Sequence, residues 1–174
     1  MNPSRRSFYP GRKKGKERCV ALFLFILGRT LQSLSRIDPA TRNEVGQWEE
    51  GFSIMFRVFP DSPKMSLQKK DGVLRYLGSK GEDADLSINF KNVDSALMTL
   101  TPQKSIFQAF AEHRCIVMGD LTVAMSLMRC LNSALIHLYP RIISKRLVKR
   151  PPPRSFNMPL IRLRLFLVGI PLGK

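Results

Sequence analysis

The stretch RCIVMGDLTVAMSLMRCL, residues 114–131, decides how the chain folds. It opens with a short apolar run that suits a β-strand, Cys115–Met118, and continues as a much longer apolar run. Between the two runs, Gly119 permits a backbone turn that other residues resist, and Asp120 is placed to cap a helix. The stretch therefore predicts a strand, a tight turn and then a helix over Leu121–Leu138.

The predicted last helix is apolar on nearly all sides up to Leu131. Its polar residues form one narrow stripe, which comprises Thr122, Ser126, Arg129, Ser133 and His137. A helix of this kind is either buried in a core or lines an apolar cavity. Six methionines between positions 55 and 128 fit both readings, since flexible thioethers fill irregular apolar space. The residues alone leave the choice open.

Upstream of this stretch the sequence predicts four short strands, and in all but the third of them apolar and polar residues alternate with period two. These are Phe52–Val58, Lys64–Gln68, Val73–Leu77 and Ala84–Phe90. Asp71-Gly72 is a strong hairpin signal between the second and third strands. Two short helices follow, one over Val93–Leu100 and one from Pro102 to about Glu112. The order predicts an antiparallel sheet with one covered face.

The N-terminal region holds a basic lead followed by about ten apolar residues, CVALFLFILG. It resembles a signal peptide, but Arg29 follows the run where a small-residue cleavage site would be expected. The run is too short to span a bilayer. Its leucines continue at helical spacing until Pro39, so we predict an amphipathic helix that either caps the core or lies on a membrane surface. A cleaved signal and a transit peptide are the alternatives.

The formal net charge of +16 is concentrated at the two ends of the chain. Residues 1–43 hold ten basic and two acidic residues, residues 44–140 hold ten and eleven, and residues 141–174 hold nine and none. We therefore predict three parts: a basic N-terminal segment with the amphipathic helix (1–43), a folded domain (44–140), and a basic, proline-containing tail (141–174). Basic flanks around a neutral domain suit an anionic membrane surface, a solvated tail or loose nucleic-acid contact.

Catalytic and metal-binding signals are weak. The three cysteines show no paired spacing, and the scattered Cys and His residues do not form a zinc pattern. Cys115 lies two residues from His113, but the two do not easily form a dyad, and a solvated edge suits the paired acids Asp83 and Asp85. Nucleic-acid binding is disfavoured because few aromatic residues interleave with the cations of the flanks. We expect no catalysis, no cofactor and no metal.

Four blocks in order resemble the sterol carrier protein type 2 domain family over roughly residues 43–138. They are FSIMFRVF (52–59), DADLSINF (83–90), VDSALMTLTPQKSIFQAF (93–110) and CIVMGDLTVAMSLM (115–128). Within them Thr101-Pro102-Gln103 and Gly119-Asp120 match steps of the family pattern. The segment between Gln103 and Gly119 looks about one helical turn longer than in the animal proteins. The glycine usual before the short strand is replaced near His113.

The resemblance implies an α+β fold: a five-stranded, mostly antiparallel sheet covered on one face by helices, with an apolar tunnel between them. It implies non-catalytic binding of a hydrophobic lipid, such as a fatty acyl, sterol-like or isoprenoid compound. Burying such a guest contributes about 25 cal/mol per Å² of apolar surface. The residues predicted to line the tunnel are Phe56, Leu86, Ile88, Phe107, Phe110, Met118, Leu121, Met125 and Met128.

The expected partners are therefore a hydrophobic small molecule and an anionic membrane surface, which the basic flanks would bind. An accessory lipid-binding role in quinone or other lipid biosynthesis is an equally compatible alternative. We expect a cytoplasmic protein that binds peripherally to membranes. The peroxisomal ending of the animal sterol carriers is missing, so a peroxisomal location is not expected.

Overall fold

The computed structural model describes residues 14–60, 63–81, 83–101, 103 and 106–139, and for Ile106 and Phe107 it describes the backbone alone. The predicted C-terminal tail and the first 13 residues lie outside this range. Within these described residues, ten elements follow one another. They are α1 Lys14–Ile37, α2 Pro39–Gly46, β1 Ser53–Val58, β2 Lys64–Lys70, β3 Val73–Gly78, β4 Leu86–Phe90, α3 Val93–Leu100, α4 Ile106–Ala111, β5 Cys115–Met118 and α5 Leu121–Leu138.

The five strands form one sheet in the order β3-β2-β1-β4-β5. Neighbouring strands are antiparallel except β1 and β4, which pair in parallel, with Ile54 opposite Leu86 and Phe56 opposite Ile88. Parallel pairing requires a crossover connection, and the chain between β1 and β4, which comprises the β2–β3 hairpin and the segment after β3, provides it. The predicted α+β class and the five-stranded, mostly antiparallel sheet are confirmed.

One face of the sheet carries the hydrophobic core. Alternate residues of the three central strands point to this face and are 0% exposed: Ile54, Phe56, Val58, Met65, Leu67, Leu86, Ile88 and Phe90. Residues from α1, α3 and α5 complete the same apolar cluster. In these three strands the period-two pattern of the sequence correctly identified the face that lies on the core, because side chains of a strand alternate between the two faces.

Helix α1 covers the β3 side of this face. Its leucines at positions 24, 27, 31 and 34 are buried, so the helix caps the core. It also satisfies the backbone of the edge strand β3: the Leu74 N–H donates to Ser35 Oγ at 3.0 Å, and the Tyr76 N–H donates to Gln32 Oε1 at 2.8 Å. Covering an edge with a helix removes a row of unpaired donors that would otherwise invite association.

Close approach between α1 and the sheet depends on Gly28. A Cβ atom at this position would lie 2.5 Å from the Tyr76 ring and 3.0 Å from the Met65 sulfur. The Tyr76 ring in turn packs edge-on against Phe25, and the Arg29 guanidinium lies 5.4 Å from its centroid. Arg29, which argues against a signal peptide in the sequence, therefore has a packing role as a cation over aromatic rings.

Helix α2 was not predicted. Pro39 does end α1, as expected, but it also occupies the first turn of a new helix whose N-cap is Asp38. The Asp38 carboxylate accepts from the Thr41 N–H at 3.1 Å, which satisfies one of the free donors at the helix start. Helix α4 is shorter than the predicted segment, and the predicted start at Pro102 lies outside the described residues.

Two of the described helices, α1 and α5, are long and apolar enough to cross a membrane by length and composition. In each of them, 56% of the most apolar 18-residue window is buried inside the protein. Core helices of this length pass the same composition test, so hydropathy gives weak grounds for a membrane span here.

The turn between β5 and α5 follows the prediction from the sequence. Gly119 has φ +124°, and Asp120 caps α5 by accepting from the Thr122 N–H at 2.6 Å. The glycine also lies directly against strand β4: a Cβ atom would stand 2.3 Å from the Asp85 carbonyl oxygen and 3.0 Å from the Leu86 Cα. Position 119 therefore excludes a side chain for two independent reasons, its backbone conformation and its neighbour.

Replacing Gly119 by alanine should destabilise the protein by about 2–4 kcal/mol, since the variant combines a strained backbone with a clash against main-chain atoms. Urea unfolding followed through the fluorescence of Trp48, the single tryptophan, measures the effect. Gly15→Ala is the matched control, because no atom lies within 4 Å of a Cβ there. Equal stability of the two variants would contradict the prediction.

Candidate functional site

An apolar cleft of about 190 Å³ lies where three helices converge. It is lined by Phe23, Ile26 and Leu27 of α1, Leu100 of α3, Leu135 and Leu138 of α5, and Tyr139. We call it the α1–α5 cleft. The helical spacing of residues 23, 26 and 27 puts them on one side of α1, and residues 135 and 138 share a side of α5 in the same way. Six of the seven lining side chains carry no polar atom.

The polar atom of the cleft already has a partner. The Tyr139 hydroxyl donates to the Leu100 carbonyl oxygen at 2.8 Å, which joins the ends of α3 and α5. Burial raises the pKa of Tyr139, so the hydroxyl stays protonated and neutral across the physiological range. An occupant of the cleft therefore finds apolar surface and no charged group among the lining residues.

The size of the cleft limits its occupant. An engineered apolar cavity of about 150 Å³ stays dry and binds benzene, whereas pockets for drug-sized ligands run from about 300 Å³ upwards. The α1–α5 cleft can therefore take a ring or a short hydrocarbon segment as it stands. A longer lipid would have to extend beyond the lining residues or move them.

The residues predicted to line a tunnel separate into two sets. Phe56, Leu86, Ile88 and Met128 are buried in the core, and they lie on the helix-covered face of the sheet or on the facing side of α5. Four others are exposed: Phe110 by 44%, Met118 by 61%, Leu121 by 67% and Met125 by 47%. The side chain of Phe107 lies outside the described part of the structure. The structure thus does not bring the predicted residues together around one cavity.

None of the seven residues of the α1–α5 cleft was predicted as a site residue. Leu27 belongs to the predicted helical leucine pattern, and the others read as ordinary apolar positions. The signal that could have found them is the length of the predicted N-terminal helix. A long apolar helix must bury more than one of its faces. The domain that follows it contains further apolar helices, which could have been expected to pack against those faces.

Three residues of the polar stripe of α5 form hydrogen bonds with α2 or with the residues that flank it. Ser126 Oγ donates to Glu44 Oε2 at 2.7 Å and accepts from the Trp48 indole N–H at 2.9 Å. Arg129 donates from Nε and Nη2 to the two Glu44 oxygens at 2.6 and 2.8 Å, and Ser133 Oγ donates to Asp38 at 3.0 Å. We call these contacts the α2–α5 clasp.

The α2–α5 clasp stabilises the ionised form of the Glu44 carboxylate. Hydrogen bonds from Arg129 are the largest cause that lowers the pKa of Glu44; partial burial opposes them, and the Ser126 hydroxyl adds a smaller lowering. Arg129 itself is 55% exposed and Glu44 is 21% exposed. Solvent screening therefore limits the pair to a modest contribution, on the order of 1 kcal/mol.

The two cysteines of the domain have the wrong environment for nucleophilic chemistry. Burial raises the pKa of Cys115 to about 11 and is the main cause that raises the pKa of Cys130 to about 12. A reactive thiol needs a lowered pKa in an electropositive site. His113 is exposed, whereas Cys115 is buried, so the geometry does not pair them.

Of the two acidic candidates, Asp85 has a structural role. Asp85 accepts from the Ser53 N–H and Oγ, both at 2.8 Å, and these bonds lower its pKa. It thereby ties the start of β1 to the residue before β4. In the described ranges, no group of three or more His, Cys, Asp or Glu residues could hold a metal ion.

No known family model matches the chain, and no curated protein matches it. Solved structures similar to it include a UbiJ-SCP2 ubiquinone synthesis protein, with 19% identity and a TM-score of 0.42 over 70% of this chain and 93% of the other. Sterol carrier protein domain 2 of Helicoverpa armigera matches with 17% identity and a TM-score of 0.41 over 62% and 84%. A conserved hypothetical protein of Thermus thermophilus, described in relation to sterol carrier proteins, matches with 13% identity and a TM-score of 0.45 over 75% and 90%. These descriptions name the family that the four sequence blocks resemble.

Replacing Glu44 by glutamine should lower stability at pH 7 by about 1 kcal/mol. Because the folded-state pKa of Glu44 lies below its unfolded value of about 4.3, its contribution is present above that value and disappears as the pH falls through the folded-state pKa. Wild type and variant should therefore differ at pH 7 and converge as the pH falls below the folded-state pKa of Glu44. Urea unfolding at a series of pH values measures the difference, with Glu49→Gln at an exposed carboxyl as the control. A constant difference at all pH values would refute this assignment.

Proposed function

We propose that the protein binds a hydrophobic lipid non-catalytically, with an apolar part of that lipid held in the α1–α5 cleft. The observation that carries the proposal is the cleft itself: six apolar side chains and one internally bonded tyrosine around about 190 Å³. Such a site recognises a guest by the apolar surface it removes from water and not by polar contacts. The α1–α5 cleft can therefore shield a hydrocarbon group from water.

Two features suit a guest longer than the cleft. Phe23 and Ile26 are partly exposed, so this side of the cleft reaches the protein surface. The next residue, Leu27, is buried, so the apolar surface of α1 continues from the protein exterior into the cleft. The head group of a lipid would remain at the surface while its tail enters. Fatty acyl, sterol-like and isoprenoid compounds all meet this requirement.

We further propose that the basic flanks hold the protein on anionic membranes, where its guest is found. Residues 12–18, which lead into α1, contain five Lys/Arg and one acidic residue, and residues 141–174 contain nine and none. Each cation near such a surface contributes about 1 kcal/mol. Leu22 is 58% exposed on α1 beside the cleft residue Phe23, and it would enter the interface. This arrangement corresponds to a cytoplasmic, peripheral protein.

Filling the cleft should abolish binding without unfolding the protein. Ile26→Trp adds a large ring to the cleft and is expected to weaken binding of a fluorescent fatty acyl probe by about tenfold or more. Probe displacement titrations measure the affinity, and circular dichroism confirms that the helices remain.

Ala21→Trp is the matched control, because it adds the same ring at an exposed position on the other side of the same helix and should leave the affinity unchanged. Equal affinity in wild type and Ile26→Trp would remove the cleft as the site. A wild-type protein that neither carries a lipid on purification nor displaces the probe would defeat the lipid-binding proposal itself.

The nature of the lipid separates a carrier from an accessory protein of quinone biosynthesis. Native mass spectrometry followed by organic extraction of the purified protein identifies what travels with it. Fatty acids or sterols would favour general lipid transfer. Prenylated phenols would favour presentation of a biosynthetic intermediate to enzymes.

Replacing the cations of residues 1–18 and 141–174 by glutamine should abolish membrane docking while leaving lipid affinity intact. Wild type is expected to float with phosphatidylglycerol vesicles, and less so as salt rises, because exposed charges are screened over about 8 Å at physiological ionic strength. It should not float with neutral vesicles. Flotation of the neutralised variant to the wild-type extent would show that the flanks are not the docking element.

A further inference from the structure

Helix α1 contains a buried hydroxyl that has no hydrogen-bond partner among the described residues. Thr30 is 0% exposed, and its Oγ1 atom makes no hydrogen bond there. Burying an unpaired hydroxyl is unfavourable, because the group gives up its bonds to water and gains none in return. A valine has nearly the same shape and would avoid that cost. An unsatisfied group of this kind in a folded protein therefore calls for an explanation.

Two other buried polar residues of α1 are paired, and both of them serve strand β3. Gln32 Oε1 accepts from the Tyr76 N–H at 2.8 Å. Ser35 Oγ accepts from the Leu74 N–H at 3.0 Å and donates to the Gln32 carbonyl oxygen at 2.8 Å. A threonine in a helix can also donate to a carbonyl oxygen one turn earlier, but the Thr30 hydroxyl does not do so. Neither the sheet nor the helix itself therefore accounts for this hydroxyl.

Thr30 lies on the side of α1 that lines the α1–α5 cleft. It follows Phe23 by seven residues, Ile26 by four and Leu27 by three, and residues at these spacings share one side of a helix. Thr30 is therefore one turn further along α1 than the lining residues, about 4.5 Å beyond Leu27 along the helix axis. Because Cα–Cβ bonds in a helix tilt toward its N-terminus, the Thr30 side chain leans back toward the cleft.

The chemistry around Thr30 limits the group that can pair with it. Leu27 and Leu34, which lie one turn before and one turn after it on the same side of α1, belong to the apolar core. None of the residues that line the cleft is charged. A carboxylate would lose its hydration there without meeting a cation. A neutral hydroxyl or carbonyl oxygen suits the site, because the threonine hydroxyl can both donate and accept.

We propose that Thr30 determines the specificity of the α1–α5 cleft by selecting a lipid with a hydroxyl or carbonyl oxygen on the end that enters. This inference rests on the proposed lipid-binding function and narrows its ligand class. The selected oxygen is separate from any head group that stays at the surface. Since Thr30 is fully buried, the guest reaches it by shifting lining side chains, and rotamer changes of this kind are common on binding. A saturated fatty acyl chain that enters by its methyl end would leave the hydroxyl unpaired and is the disfavoured guest.

The test compares p-cresol with p-xylene, two single-ring probes of nearly equal size that differ by a hydroxyl in place of a methyl group. Displacement of the fluorescent fatty acyl probe from the full-length chain measures the affinity for each. Thr30→Val should weaken p-cresol binding by about fivefold, as expected for one hydrogen bond, and should not weaken p-xylene binding. Thr30→Ser keeps the hydroxyl and should retain the wild-type ratio of the two affinities.

Stability without ligand gives a second readout, whose sign a merely structural threonine would not reproduce. Thr30→Val should raise the midpoint of urea unfolding, because it replaces an unpaired buried hydroxyl by a methyl group. Thr99→Val on α3 is the matched control, since Thr99 is also buried but its hydroxyl donates to the Ser95 carbonyl oxygen at 2.9 Å. The control should lower the midpoint and keep the wild-type ratio of the two affinities.

Three results would overturn the inference. The first is a wild-type affinity ratio in Thr30→Val. The second is a midpoint that Thr30→Val lowers as much as Thr99→Val does, which would show that the hydroxyl is paired within the protein. The third is a wild type that binds p-xylene but not p-cresol, which would leave the proposed lipid-binding function standing. A wild type that neither binds the fatty acyl probe nor carries a lipid on purification would instead defeat that function and this inference together.

Discussion

The seating of helix α1 on the apolar face of the sheet is the constraint on which the rest of the structure depends. A sheet with eight fully buried side chains on its central strands cannot leave that face in water. Helix α1 covers the β3 side, approaches closely because residue 28 is glycine, and satisfies two donors of β3 through Gln32 and Ser35. The covering helix therefore also protects an edge of the sheet.

The position of α1 also creates the cleft. Its second half packs on strands β2 and β3, whereas its first half meets the C-terminal ends of α3 and α5. The space that remains between these helices is lined by Phe23, Ile26 and Leu27 of α1. The basic residues 12–18 are close to these cleft residues in sequence. Helix α1 thus contributes to the core, to the apolar cleft and to the proposed membrane contact.

The elements of the domain could be predicted because their patterns are local. Period-two alternation located β1, β2 and β4, and capping residues located the helix starts at Asn92 and Asp120. Helix α2 was missed because eight residues with two buried side chains give little periodicity. Its importance comes from Glu44 and Asp38, which bind side chains more than 80 residues away along the chain, and no local pattern reports such contacts.

The candidate site was less predictable than the fold, since apolar residues look alike in sequence whether they are buried, exposed or cleft-lining. Phe56 and Met125 were both predicted as lining residues, yet one is 0% and the other 47% exposed. The sequence by itself determined the strands, the glycine turn at 119 and the charge of the flanks, because these depend on neighbouring residues. The tertiary structure alone decided which helix sides meet, where a cleft remains and which apolar side chains stay in water. Those outcomes depend on how elements far apart in the chain pack against each other.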